Sequence, residues 1–289
     1  MTQGRSSGKS CGFYSCVLTA VLPALLSACA QQPAHPDAAG LTGNVLLAEA
    51  RAQEREGSRA FLRYDSDGAQ GHYQRAAQIY QSLALADPLA RAQLSQARVL
   101  AQAGQLKLAQ QQVAAVLENS AALPPGTLAA AHGRAASLSL QDQPPGLAAA
   151  EFHLSEAEKL CATHCPEASA LWTLRGRLHL ARAEPQAALD AALQAGRTAT
   201  APSDQANALR LTAQSRLLLG APAEALAQAG QALALDQASG AAERVAMDLA
   251  LIAQAYRASG DTVAAQRTQT LAERSAAATR ALRNRAAAP

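Results

Sequence analysis

Small residues return at fixed distances along most of this chain, and that spacing restricts it to stacked helical hairpins more tightly than any other feature. From Gly104 the pattern runs to Ala109, Val113 and Val116, so a turn residue is followed by chosen residues five, nine and twelve places on. It returns at Gly220 with Ala225, Ala229 and Ala232, at Gly260 with Ala265, Gln269 and Ala272, and at Ala183 with Ala188, Ala192 and Ala195. A looser copy lies at Gly146 with Ala150, Leu154 and Ala157, and we read a first copy at Gly71 with Ala76, Tyr80 and Leu83. Seven places before four of the turns stand Ala97, Gly176, Ala213 and Ala253. Such offsets keep residues on one helical face. A repeat on this scale marks a solenoid, in which each hairpin buries its apolar face only against its neighbours.

Composition agrees. About a quarter of the 289 residues are alanine, while aromatics make up 3% and charged residues 16%. Alanine is the best helix former and a poor strand residue, so the fold class expected is all-α. The chain is too apolar to stay disordered. A formal charge of +3 and few aromatics give little basis for phosphate contacts or base stacking, so no nucleic-acid partner is expected.

Trp172 with Gly176, and Tyr256 with Gly260 and Asp261, add a further resemblance. Over residues 44–275 the chain resembles the tetratricopeptide repeats, whose unit is two antiparallel helices in about 34 residues. The resemblance implies a TPR-like α–α superhelix of about six helix hairpins. Breaks are expected at Pro88, Pro124 and Pro125, Pro144 and Pro145, Pro166 and Pro202, with Pro185 and Pro222 in first helical turns. It also implies a concave groove that binds a partner. Carried onto this chain, the groove positions are Arg91, Leu94 and Arg98, Arg177 and Leu180, Asn207, Arg210, Gln214 and Leu217, and Gln254 and Arg257. This set contains no acid, and arginine suits bidentate recognition of carboxylates, so an extended segment with acidic groups is the ligand class expected. The carboxylate-clamp variant of the family needs Asn where this chain has Arg98, Arg177, Gln214 or Gln254, so that clamp is not implied.

The N-terminus speaks about location. Arg5 and Lys9 precede an apolar run from Cys11 to Leu26 that is shorter than the roughly 20 residues a spanning helix needs. Residues 1–28 read as a signal peptide. The run closes on Leu26, Ser27, Ala28 and Cys29, which resembles the lipobox of bacterial lipoproteins. That resemblance implies cleavage before Cys29, lipidation of its sulfur, and, with Ala30 next, attachment to the outer membrane on its periplasmic face. Several acyl chains would make such an anchor lasting. Residues 29–43 read as a tether and residues 276–289 as a basic cap.

No motif for catalysis, phosphate binding or a cofactor is present, so a non-enzymatic protein without metal is expected. Of the five cysteines, Cys161 and Cys165 alone would remain as thiols in an oxidising compartment, where a disulfide between them is expected. A metal site with His153 and His164, or a reactive thiol beside His164, stands as the alternative. The repeat and the lipobox together point to a membrane-tethered adaptor or scaffold holding another envelope protein. The roles implied are pilus or secretion assembly, outer-membrane biogenesis and cell-wall enzyme complexes. Binding of peptidoglycan or a small ligand is the second reading, and the basic cap allows contact with cell-wall polymer.

Overall fold

The computed structural model describes residues 38–161 and 165–286, with side chains from residue 45 to residue 283. The signal, Cys29 and most of the tether lie outside the described residues. Twelve α-helices follow one another with no strand among the described residues. They are α1 (Ala38–Leu62), α2 (Ser66–Ser82), α3 (Ala86–Gln102), α4 (Leu106–Glu118), α5 (Pro125–Ser139) and α6 (Leu147–Leu160). The second half comprises α7 (Ala168–Ala181), α8 (Pro185–Thr198), α9 (Pro202–Leu218), α10 (Pro222–Ala238), α11 (Ala242–Ala258) and α12 (Thr262–Ala286). From α2 onward each packs on the next, and α1 packs on α2 through Ala50 and Ala60, giving six hairpins; consecutive odd-numbered helices from α3 to α11 also touch one another. The odd helices therefore form the inner layer of an all-α, TPR-like solenoid. None of the described helices is long and apolar enough to cross a membrane.

The joints explain the period. Tyr64, Ala84, Gly104, Ala183, Gly220, Gly240 and Gly260 all adopt positive φ. In each the following N–H reaches five residues back, as from Gln105 to Leu100 at 2.9 Å and from Ala221 to Arg216 at 2.9 Å. This is the Schellman closure, which satisfies the last helical carbonyls and reverses the chain in three residues. Helices α2, α3, α9, α10 and α11 each have 17 residues. A three-residue joint then makes the repeat from Gly220 to Gly260 40 residues long. Pro125, Pro185, Pro202 and Pro222 each open a helix, where no N–H is lost.

The expected alanines occupy the contacts between helices. Ala109, Ala188, Ala225 and Ala229 are fully buried, and Val113 and Val116 fill the gaps beside them. The first copy requires a correction. Gly71 lies inside α2, and the true turn is at Tyr64, with Ala69, Tyr73 and Ala76 buried five, nine and twelve places on. A shift of seven residues is almost two helical turns, so the misplaced pattern falls on nearly the same face. Helix α1 begins at Ala38, within the stretch expected as tether, and α12 runs on through Ala286, across the expected boundary at residue 276.

Candidate partner-binding groove

The inner helices present a row of guanidinium groups that follows from one local rule. Where two inner helices come closest, the residue at the contact must be small, and the next residue turns about 100° toward the open face. The pairs are Ala97 and Arg98 on α3, Gly133 and Arg134 on α5, and Gly176 and Arg177 on α7. A Cβ on Gly133 would lie 3.1 Å from Leu171 Cδ2, and one on Gly176 would overlap the Leu211 side chain. Packing thus requires the glycine at Gly176 and holds Gly133 tightly, and the arginines beside the small residues share one aspect.

Of these arginines, Arg134 and Arg177 have Glu167 beside them but form no ion pair with it. Arg98 lies over the Phe61 ring at 4.1 Å from its centroid, and its Nε has no hydrogen-bond partner. The Arg134 Nε is likewise buried and unpartnered. Burial and the neighbouring Arg98 charge push the Arg134 pKa down to about 10, opposed by Glu167. Arg177 reaches solvent yet is flanked by protein on most sides, and that partial desolvation lowers its pKa. We find no ion pair to Arg98, Arg134 or Arg177 among the described residues, although thirteen are formed elsewhere. A cleft of about 240 Å³ joins Arg134 and Arg177 to Ser137, Glu167, Thr173 and Asn207.

Farther along the same layer the chemistry is closed. Arg210 is buried, with Nε donating to Asp248 Oδ1 at 2.6 Å, Nη1 donating to Asn207 Oδ1 at 2.9 Å, and Nη2 paired with Asp236. Arg244 Nε lies 2.9 Å from Asp236 Oδ1, misaligned for a hydrogen bond. Burial pushes the Asp248 carboxyl up to about 6, against the pull of Arg210 and with the neighbouring Asp236 charge adding to the rise.

The residues carried over from the family separate accordingly. Arg98 and Arg177 belong to the row, and Asn207 lines the cleft beside Arg177 while its Oδ1 accepts from Arg210. Three need correction: Leu94 is 7% exposed and packs in the core with Val113 and Leu138, Leu217 packs against the core of α9 to α11, and Arg210 is consumed by two buried acids. In each case the side chain turns between layers instead of into the groove. Arg91 pairs with Asp87 at 3.1 Å and donates to Thr127, stitching α3 to α5. Leu180 and Gln214 are half-buried, while Gln254 and Arg257 are exposed on α11.

Elsewhere, Cys161 and Cys165 are joined in a disulfide between α6 and α7, with Cα atoms 5.1 Å apart. His132 and His153 face each other through Nδ1 atoms 3.1 Å apart, and burial lowers both pKa values. No group of three or more metal-donor side chains occurs among the described residues.

No family model matches the sequence, and no curated protein matches it. Solved structures are similar in fold. BtubC (BKLC) from P. vanneervenii shares 16% identity over 79% of this chain and 92% of its own, with a TM-score of 0.50. TTC0263, a thermophilic TPR protein of Thermus thermophilus, shares 20% identity over 72% of this chain and 98% of its own, with a TM-score of 0.48.

Proposed function

We propose that this protein is a non-enzymatic scaffold of the bacterial envelope that holds an extended, acidic segment of another protein along its inner face. The observation that carries the reading is the row Arg98, Arg134 and Arg177, three guanidinium groups in or beside the groove that form no ion pair among the described residues, with Glu167 acting on Arg134 only at a distance. Desolvating a cation is costly unless something pairs with it, and a fold that keeps such a row gains when a ligand supplies the acids. Arginine forks match carboxylates bidentately, and a shallow groove of inner helices suits an extended chain. The lipobox at Cys29 supports a lipid anchor on the periplasmic face of the outer membrane, which would keep the scaffold beside envelope partners.

The test uses full-length protein in non-ionic detergent and fluorescein-labelled peptides of alternating Glu and Ala or Lys and Ala. The acidic peptide should bind and the basic one should not, with affinity falling as salt rises. Arg134→Gln or Arg177→Gln should each weaken binding by roughly tenfold, as expected for one lost charge-assisted contact. Equal binding of both peptides would refute the groove. Labelled palmitate that fails to enter the protein, or a Cys29→Ala form that stays on membranes, would refute the anchor.

A further inference from the structure

The end of α1 and the joint that follows it serve two places at once. Phe61 lies beneath the Arg98 guanidinium in the groove. One turn on, Tyr64 touches the opposite end of the solenoid, where its hydroxyl accepts a hydrogen bond at 3.0 Å from the backbone N–H of Glu243. Arg283 of α12 stands 5.4 Å from the Tyr64 ring centroid and pairs with the Glu243 carboxylate. The joint after the first helix therefore meets the last hairpin. A cleft of about 190 Å³ follows this seam, lined by Phe61, Tyr64, Gln102, Glu243 and Arg244 among others. Gln102 Oε1 is buried there with no donor.

The seam is the softest joint in the fold. Adjacent hairpins bury whole helix faces, whereas the seam rests on one neutral hydrogen bond, one cation–π contact and one ion pair whose side chains are 35% and 37% exposed. Contacts of that kind open locally without unfolding the rest.

We propose that the seam is a clasp that opens to admit the partner, with Glu243 holding on Arg283 the place that an acid of the partner takes. The proposal rests on the groove reading above and adds its regulation. A partner carboxylate on Arg98 draws that guanidinium off Phe61, and Phe61 lies only three residues before Tyr64, at the end of α1 and the joint that follows it, so occupancy and closure oppose each other. By linkage, anything that loosens the clasp also tightens binding by the same factor.

The Glu243 amide reports the clasp directly. It belongs to the first turn of α11, where an amide has no intrahelical acceptor, and Tyr64 supplies one. Residue-resolved hydrogen exchange on the full-length protein, with and without the alternating Glu and Ala peptide, is the measurement. Saturating peptide should speed exchange at Glu243 by roughly tenfold or more while amides in the middle of α9 stay protected. Tyr64→Phe and Glu243→Gln should each raise the association rate of the same peptide. Binding with unchanged protection at Glu243 and unchanged rates in both variants would overturn the clasp and leave the groove standing. No binding by wild type or variants at low salt would overturn the groove, and the clasp with it.

Discussion

The α3–α7 and α9–α11 stretches of the inner layer hold the same side chain in opposite electrostatic states. In α9–α11, Arg210 is 8% exposed and faces two carboxylates that are 0% exposed, so cation and acids neutralise one another inside the protein. In α3–α7, Arg98, Arg134 and Arg177 face one another, an aromatic ring, small polar groups and the half-buried Glu167, with which none of them forms an ion pair. Burial of a cation therefore does not by itself define its role. Where the fold supplies the counter-charge the arginine is a structural tie between helices, and where it does not the arginine is available to a ligand.

Removing the tie should produce the largest effect. Arg210→Ala would leave Asp236 and Asp248 buried without their main partner, and breaking a buried pair in this way costs about 3 to 5 kcal/mol. Urea denaturation followed by circular dichroism would measure it. A loss below about 1 kcal/mol, the size typical of exposed pairs, would mean that the two stretches do not differ in kind.

Next in size is a pH effect confined to the closed stretch. The Asp248 carboxyl is raised from 3.8 to about 6 in the fold, chiefly by burial. Between those values the folded chain retains a proton that the unfolded chain has released, so the contribution of Asp248 to stability is full below pH 3.8 and declines as pH rises through about 6. Over that window the wild type should lose up to about 3 kcal/mol relative to Asp248→Asn, since a tenfold difference in proton affinity between folded and unfolded chains corresponds to about 1.4 kcal/mol. Parallel denaturation curves at about pH 4, 5 and 6.5 test this. Curves that keep a constant separation would show that Asp248 is held ionised by Arg210 throughout.

Much of the scaffold is legible in the residues because packing leaves a periodic trace. The series beginning at Ala109, Ala188 and Ala225 is found buried, and the Gly104, Gly220 and Gly260 turns adopt the left-handed backbone that glycine tolerates best. Tyr64, Ala84 and Ala183 form the same closure without glycine, and for that reason residue spacing puts the first turn at Gly71 instead of Tyr64. Groove residues leave a weaker trace. Arg134 follows Gly133 as Arg177 follows Gly176, and this small-residue and arginine pairing is the available signal. It is obscured because α5 ends at Leu140 without a positive-φ turn, which hides the register of that repeat. The neutralisation of Arg210 has no local signal, since Asp236 and Asp248 lie 26 and 38 residues away. The seam, spanning 179 residues, has none at all.

The smallest expected change in stability is also the sharpest separation of the two stretches. Arg134→Leu removes a half-buried cation whose Nε has no partner, together with its repulsion from Arg98, and it leaves no acid stranded, because Glu167 lies at the N-terminal end of α7 where solvent reaches it. The variant should therefore be more stable than wild type by about 1 kcal/mol, in the range seen when buried charge gives way to well-packed apolar groups. It should at the same time lose most of its affinity for the acidic peptide. A substitution that raises stability while lowering binding identifies a residue kept for its ligand at the expense of the fold. Arg210→Ala should instead lose stability first and binding only as a consequence. If Arg134→Leu destabilises the protein by an amount comparable to Arg210→Ala, then Arg134 has an internal partner after all, and the row from α3 to α7 is a second structural tie.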